Sequence, residues 1–264
     1  MESKLHRLSV EAFHHKYAAG IKTNRPGIQK QLLSFLEIID KSTLQTAKLE
    51  RFGSEYDGGY VVYSEIHKDT SVISCGIGND ASFDFAIAHS AKNVYMFDHT
   101  ISTVSDLKLN MHFYRLGINN YTHGFFVSLP DIVKNNKIDK CVLKMDIEGM
   151  EWEILDSLEL EFLNRFDQII VEFHDLFKIA SEAQGSLYLN VINKLVAGFN
   201  IVNVHPNNWG EFRIFCGVPF VNTLEVTFLN KAIEVGSELN PINRNHQNNP
   251  ADPEYILFRN PKRF

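Results

Sequence analysis

Four ionisable side chains follow apolar runs of the sequence, at the points where those runs end. A carboxylate or an imidazole beside a substrate hydroxyl can take up its proton while the oxygen attacks an electrophile. His174 is the preferred base, since an imidazole with an unperturbed pKa of about 6.5 titrates close to neutral pH; a purely structural role for it is the alternative. We expect catalysis from a group made of Asp146, Glu172, His174 and His205.

Three of the same residues could also bind a divalent ion. Asp146, Glu172 and His174 would supply oxygen ligands and one imidazole, which suits magnesium or manganese. A bound metal would lower the pKa of a coordinated hydroxyl. Because the three residues lack the spacing of a diagnostic metal motif, we assign no metal ligands and keep the ion as an alternative.

A second group of residues is suited to an adenosine-containing cofactor. Gly76 and Gly78 end the apolar run Val72–Cys75, where the absence of a Cβ lets a ligand approach the backbone. Asp98 ends the next apolar run and can accept both hydrogen bonds from a ribose diol. The pattern serves NAD(P) and S-adenosylmethionine alike, and Ala81 stands where a third glycine would complete the dinucleotide motif.

Alternating strands and helices must position these residues. Short apolar runs separated by amphipathic segments are typical of a parallel sheet with helices on both faces. Ligands then bind beyond the carboxyl ends of the strands. We predict an α/β, Rossmann-like fold with a mostly parallel seven-stranded sheet, the last strand pairing beside the sixth. The predicted strands are 72–75, 94–97, 112–116, 141–145, 168–173, 199–204 and 224–229.

The sequence divides into a short N-terminal part and one main domain. Apolar residues recur at helical spacing between Ile28 and Ile39, so we predict an N-terminal helical cap over residues 1–49. Residues 50–264 form the main domain. Asparagine and proline are enriched near its end, which predicts an irregular insertion at about 236–254, followed by a strand-like segment at 255–258.

Composition and charge narrow the class of protein. The 264 residues are 44% hydrophobic, yet no apolar run approaches the ~18 residues of a membrane span, and the first residues lack a signal peptide's apolar stretch. Three distant cysteines favour a reducing, cytoplasmic compartment. Lys and Arg number 26 against 32 Asp and Glu, giving a net charge of −6, so we expect no nucleic-acid partner.

Four segments resemble the FkbM-type methyltransferases, a branch of the Rossmann-like class I enzymes that use S-adenosylmethionine. The most specific is Leu143–Leu155, which is similar to the family's Lys-x-Asp-x-Glu-Gly-x-Glu block. The others are Asp57–Tyr60, Cys75–Phe83 and Val171–His174. The segment His123–Leu129 departs from the family's usual Thr-Leu-Asp ending. The resemblance extends over about residues 50–230.

The resemblance implies S-adenosylmethionine-dependent O-methylation of a hydroxyl on a sugar, sugar nucleotide or related small molecule, by a monomer or homo-oligomer. We expect the acceptor pocket in the irregular segments 1–27, 205–222 and 236–254. The alternatives are an NAD(P)-dependent oxidoreductase and an inactive relative that binds the cofactor. The implied cofactor contacts are Asp57, Gly59, Gly76, Ile77, Gly78, Asp80, Ser82, Asp98 and His99.

Overall fold

The computed structural model describes residues 26–236, 245–252 and 254–255. Its helices are α1 (Pro26–Lys41), α2 (Ser82–Ile87), α3 (Leu129–Asn135), α4 (Glu151–Ser157), α5 (Leu160–Leu163) and α6 (Glu182–Gly198), with a 3₁₀ helix at Leu176–Ala180. Its strands are β1 (Leu49–Phe52), β2 (Tyr60–Tyr63), β3 (Ser71–Cys75), β4 (Val94–Phe97), β5 (Met111–Tyr114), β6 (Gly117–Ile118), β7 (Phe126–Val127), β8 (Cys141–Met145), β9 (Phe166–Phe173), β10 (Phe199–Pro206), β11 (Phe212–Phe215), β12 (Val218–Val221) and β13 (Leu224–Asn230).

Seven strands form the central sheet, in the order β10-β13-β9-β8-β3-β4-β5. All neighbours pair in parallel except β13, which is antiparallel to both β9 and β10. The predicted seven-stranded, mostly parallel sheet is therefore confirmed, as is the place of the last strand beside the sixth. From β3 the chain runs to β4 and β5 on one side and then crosses to β8 on the other. Such a reversal creates a crevice beyond the carboxyl ends of the strands.

Burial explains why these strands could be predicted. Every residue of β3 and of β8 is buried, as expected for central strands covered on both faces. Helices α1, α4 and α6 share one hydrophobic core with one face of the sheet, while α2 packs on the other face through Phe83 and Ile87. Within α1, Phe35 contacts Trp152 and Phe220 at ring-centroid distances of 6.3 and 5.8 Å.

Two segments differ from the predictions. The strand predicted at 112–116 ends at Tyr114, and Gly117–Ile118 leaves the sheet to pair with β7. Residues 212–221 form the β11–β12 hairpin instead of an irregular loop. Its two turn residues, Cys216 and Gly217, have φ of +49° and +81°, as a type I′ turn requires. Cys-Gly is a weaker signal for this turn than Asn-Gly, so the hairpin was missed.

The predictions for residues 1–25, 237–244, 253 and 256–258 lie outside the described residues. Among those that the structure describes, residues 245–252 contain turns and bends. No helix in the described ranges is long and apolar enough to span a bilayer.

Candidate active site

A cavity of about 670 Å³ lies at the crevice beyond the carboxyl ends of β3, β4 and β8. Residues following each of these strands line it, and its volume suits a ligand of cofactor size. Tyr60, Phe83, Phe97 and Phe126 add aromatic surface. Seven of the predicted cofactor contacts line the cavity: Asp57, Gly76, Ile77, Gly78, Asp80, Asp98 and His99.

The loop after β3 needs its two glycines for different reasons. Gly76 has φ +78°, and a Cβ there would lie 1.6 Å from the carbonyl oxygen of Asp146, so this position allows the loops after β3 and β8 to touch. Gly78 has φ +59°, and a Cβ there would have no heavy atom within 4 Å. Since Gly78 lines the cavity, its missing side chain leaves room for a ligand.

Asp98 organises this loop. One carboxylate oxygen accepts hydrogen bonds from the amides of Ile77 (2.9 Å) and Gly78 (2.8 Å), and the other accepts from the Thr100 amide (2.7 Å) and hydroxyl (2.6 Å). Burial would raise the pKa of Asp98, but the hydrogen bonds from Gly78, Thr100 and Ile77 outweigh it and hold the pKa at about 2. The carboxylate is thus ionised, and a ribose diol would share it with these protein donors.

Two predicted cofactor contacts, Gly59 and Ser82, lie outside the cavity lining. A Cβ at Gly59 would lie 2.1 Å from the carbonyl oxygen of Ser54, so this glycine permits close approach within the turn before β2. The amide of Ser82 donates to Oδ1 of Asp80 (2.8 Å) at the start of α2. Ser82 thus bonds to one lining residue, Asp80, and Gly59 lies between two others, Gly58 and Tyr60.

Four carboxylates surround His174 beside the cavity. Nδ1 of His174 lies 3.0 Å from Oε1 of Glu151. Its Nε2 lies 3.5 Å from both Glu148 Oε2 and Glu172 Oε1, and 3.8 Å from Asp146 Oδ1. The predicted catalytic residues Asp146, Glu172 and His174 are therefore brought together. We call these five residues the acidic cluster; it borders the cavity through Asp146 and Glu148.

The cluster changes the acid–base properties of His174. Burial would lower the pKa of the imidazole, but the hydrogen bond to Glu151 and the negative charges of Glu151, Asp146 and Glu148 raise it to about 9. At neutral pH this ring carries its proton. The prediction that His174 acts as a base assumed an unperturbed pKa, and that assumption is wrong.

Tyr60 and Lys144 position Asp146. The Tyr60 hydroxyl donates to Asp146 Oδ2 at 2.7 Å, and the Lys144 ammonium lies 3.5 Å from the same oxygen. Lys144 also donates to the carbonyl of Gly76 and lies 4.9 Å from the centre of the Tyr60 ring. Sequence reasoning missed both roles, although Asp-Gly-Gly-Tyr and Lys-x-Asp, the motifs that contain them, were recognised.

His205 lies outside the cavity lining, contrary to its predicted place in the catalytic group. Strand register pairs Glu225 with Glu172 on one side and with His205 on the other. His205 is buried, and its Nδ1 lies 3.3 Å from Glu225 Oε2. Burial would lower its pKa, but Glu225 and Glu254 raise it to about 9. These are the contacts of a buried ion pair behind the site.

Asp84 is a cavity-lining carboxylate that sequence reasoning missed, because it follows Phe83 in the amphipathic helix α2. It is 2% exposed, and burial raises its pKa to about 6 against the opposing positive charge of Lys144. The Ser74 hydroxyl lies close enough to the Asp84 carboxyl group to lower its pKa, but among the described residues Oδ1 of Asp84 has no partner with hydrogen-bond geometry. A buried unpaired oxygen in a cavity wall is suited to a ligand donor.

The side-chain amides of the loop after β10 donate hydrogen bonds to other parts of the protein. The side-chain amide of Asn207 donates to Glu172 Oε1 (2.8 Å), and that of Asn208 donates to the carbonyls of Asn249 (2.9 Å) and Asp252 (3.0 Å). Within the segment expected to bind the acceptor, Asn208 therefore holds residues 245–252 against the edge strand β10, while the Asn207 amide bonds to a carboxyl group of the sheet.

Comparison with known proteins identifies the family. Residues 62–201, slightly more than half of the chain, match the model of the methyltransferase FkbM domain. The chain belongs to the FkbM methyltransferase family. Its fold is accordingly the Rossmann-like fold of class I methyltransferases, as the strand order indicates. Family membership favours methyl transfer over the nicotinamide-dependent alternative.

Among curated proteins, this FkbM family member is similar to the human probable methyltransferase-like protein 24. The two are 29% identical over 124 residues, which cover 41% of this chain and 33% of the human protein. The chain thus spans about a third of the length of the curated relative that it matches.

The solved structures to which the chain shows some likeness include methyltransferases. A dimethyladenosine transferase from Plasmodium falciparum has 16% identity and a TM-score of 0.39, with 64% of this chain and 58% of that chain covered. An rRNA methylase from Streptococcus thermophilus has 13% identity and a TM-score of 0.32, with 62% and 89% covered. At these values neither likeness bears on the acceptor.

Proposed function

We propose that the protein is an S-adenosylmethionine-dependent O-methyltransferase that acts on a hydroxyl of a sugar, a sugar nucleotide or a related small molecule. The supporting observation is that one cavity connects the glycine loop and Asp98 with the carboxylates of Asp146 and Glu148. The end formed by the glycine loop and Asp98 suits the adenosine and methionyl groups of the cofactor. The end formed by Asp146 and Glu148 suits an acceptor hydroxyl that must lose a proton.

The cofactor would extend along the glycine loop. Asp98 would bind the ribose, and the amides around Gly78 would face the methionyl group, which a side chain there would obstruct. Asp84 is buried and has an unpaired oxygen in the same wall, so it is suited to the α-ammonium group of the methionyl part.

Methyl transfer joins the acceptor oxygen to the methyl carbon while the sulfur–carbon bond breaks, leaving S-adenosylhomocysteine. The protein has to align the acceptor and receive the hydroxyl proton. Because His174 is protonated at neutral pH, we assign the proton to the carboxylates that border the cavity, Asp146 and Glu148. Burial and the negative charges of Asp146 and Glu225 raise the pKa of Glu172 well above its ordinary value, so it suits hydrogen-bond donation.

Negative charge at this end of the cavity favours a neutral, hydroxyl-rich acceptor. Asp146 and Glu148 line this end, Asp57 and Asp80 line the same cavity, and Lys144 is the lysine among the lining residues that opposes their charge. Carboxylate oxygens accept hydrogen bonds from sugar hydroxyls but repel phosphates. We therefore expect neutral sugars to be better acceptors than nucleotide sugars unless a cation offsets the charge.

The remaining parts of the proposal concern context. We propose a reducing cytoplasmic location, which agrees with the free, buried thiols of Cys75 and Cys141. We also propose that the main domain begins at about residue 50 and functions as a monomer or homo-oligomer. The N-terminal helix would act as a cap, and it shares the core of the main domain through Leu32, Phe35 and Ile39.

Calorimetric titration tests the cofactor. S-adenosylhomocysteine should bind the wild-type protein while NAD does not, and Asp98→Ala should weaken binding at least ~10-fold through loss of the ribose contact and of the loop's hydrogen bonds. Absence of S-adenosylhomocysteine binding would falsify the proposed function.

Turnover tests the acceptor end. With a panel of sugars and nucleotide sugars, Asp146→Asn should lower kcat ~10²-fold or more, with S-adenosylhomocysteine affinity changed less than ~3-fold. Asp156→Asn, an exposed change on α4, is the matched control and should leave kcat intact. If the cofactor product binds but no acceptor is methylated, the inactive-relative alternative is favoured.

A further inference from the structure

We propose that Asp146, Glu148 and His174 bind one divalent metal ion of the manganese or magnesium type, with Glu172 as a fourth contact. The inference rests on the proposed function, since it places the ion where the acceptor hydroxyl would bind. The side chains that would bind the ion lie at the carboxyl ends of two neighbouring strands, β8 and β9.

The donor atoms are spaced for a shared ion. One ligand atom each of Asp146, Glu148 and His174 lies within 4.8 Å of the other two. The distances from His174 Nε2 are 3.5 Å to Glu148 Oε2 and 3.8 Å to Asp146 Oδ1. Ligands that share an octahedral ion at roughly 2.1 Å lie about 3.0 to 4.2 Å apart, so small rotations of these side chains suffice.

The orientation of His174 is the second observation. Its Nδ1 faces Glu151, which is fully buried and is held by the amides of Ile147 (2.9 Å) and Gly149 (3.0 Å). A ligating histidine ordinarily donates its other ring N–H to a carboxylate in this way, which fixes the ring and its tautomer. The second nitrogen, Nε2, then faces Asp146, Glu148 and Glu172, and a metal ion bound there would replace the proton that Nε2 carries in the metal-free protein.

The charge balance favours a cation at this point. Glu172 is 5% exposed, and its Oε1, which accepts a hydrogen bond from the Asn207 amide, also lies 3.5 Å from His174 Nε2, so a nearly buried carboxyl group faces the site. Among the described residues, the cationic side chains within ion-pairing distance of the cluster's four carboxylates are His174 and Lys144. Buried carboxylates require partners, and a divalent ion would supply two positive charges where the donors converge.

An ion here would serve methyl transfer in two ways. Coordination of the acceptor hydroxyl would lower its pKa beside the cofactor cavity and help to orient it. The ion would also offset the negative charge that repels phosphates, which would allow a nucleotide sugar to bind. The metal would therefore affect the selectivity among acceptors as well as the rate of methyl transfer to each acceptor.

Manganese binding tests the site directly. The full chain, freed of metal with a chelator, is titrated with Mn²⁺ and followed by calorimetry and by electron paramagnetic resonance. We expect one ion per chain, with affinity reduced at least ~10-fold in Glu148→Gln, Asp146→Asn and His174→Gln. Glu148→Gln is the most secure variant, because the Glu148 side chain is 85% exposed and the change removes little packing.

Asp175→Asn is the matched control. It removes a carboxylate next to His174 that lies outside the cluster, and asparagine tolerates the positive φ of +59° at this position. Mn²⁺ affinity should change less than ~2-fold. Equal weakening in Asp175→Asn and Glu148→Gln would indicate general attraction to negative charge and overturn the site, as would no Mn²⁺ binding by the wild type.

S-adenosylhomocysteine binding in the same samples separates the two proposals. If it binds and Mn²⁺ does not, the metal site is wrong while the methyltransferase function stands. If Mn²⁺ binds with the expected variant pattern and S-adenosylhomocysteine does not, the metal site stands and the proposed function is wrong.

Discussion

Gly76 and Gly78 lie in one loop, yet the structure sets different limits on the two positions. Gly76→Ala would place a methyl group against the Asp146 carbonyl, so we expect a loss of about 3 kcal/mol or more in the free energy of unfolding. Gly78→Ala should cost only about 1–2 kcal/mol for its positive φ, but should weaken S-adenosylhomocysteine binding ~10-fold because the methyl group enters the cavity. Urea unfolding and calorimetry measure the two effects.

Each glycine variant is the control for the other. Comparable destabilisation by both would show that the loops after β3 and β8 are less tightly joined than the geometry indicates. Unchanged S-adenosylhomocysteine affinity in Gly78→Ala would place the cofactor elsewhere in the cavity.

For individual residues, the sequence predicted which polar side chains belong to the site but not which of them are protonated. Asp98, Asp146 and Glu172 were recognised because they end apolar runs, where a polar group requires a partner or a function. The pKa of His174 depends on Glu148, in the loop after β8, and on Glu151, at the start of α4, which lie 3.5 and 3.0 Å from its ring nitrogens. No pattern within a single segment contains those distances.

Helix α4 is attached to the exit of β9 through Trp152. The Trp152 ring stacks between Phe173 and Tyr188, with centroid distances of 4.1 and 4.0 Å, and its Nε1 donates to the His174 carbonyl at 2.9 Å. Trp152→Phe keeps an aromatic ring but loses this bond to a part-buried carbonyl. We expect it to lower the free energy of unfolding by about 1–3 kcal/mol, as urea denaturation would measure.

Trp209→Phe provides the comparison, because the chain has only two tryptophans and either one can report unfolding by fluorescence. The Trp209 side chain donates to the Asn248 carbonyl, but the residue is 61% exposed. Trp209→Phe should lower the free energy of unfolding by less than about 1 kcal/mol. Equal costs for the two variants would contradict the role that we give to the α4–β9 contact.

The charge of the whole molecule bears on its partners. The net charge is −6, and the acceptor end of the cavity is lined by carboxylates. Because RNA binding depends on phosphate neutralisation by Lys and Arg, we expect the metal-free protein to bind a short RNA more weakly than about 10⁻⁴ M near physiological salt. Fluorescence anisotropy at two salt concentrations measures this. Micromolar, strongly salt-dependent binding would redirect the search for an acceptor toward nucleic acid.

The sequence by itself determined the class of fold, and it predicted seven of the residues that line the cavity. Central parallel strands are buried on both faces, so β3 and β8 are mostly apolar in sequence. The glycines after β3 and Asp98 after β4 followed from strand and turn chemistry. The β11–β12 hairpin was missed because its turn is Cys-Gly.

Only the tertiary structure decided how the later residues are used. It brought Glu151, Tyr60 and Lys144 to the predicted group and moved His205 to an ion pair behind it. The physical reason is that burial, proton affinity and metal affinity depend on distances between side chains from different strand exits. Those distances are established only when β8, β9 and β13 lie side by side.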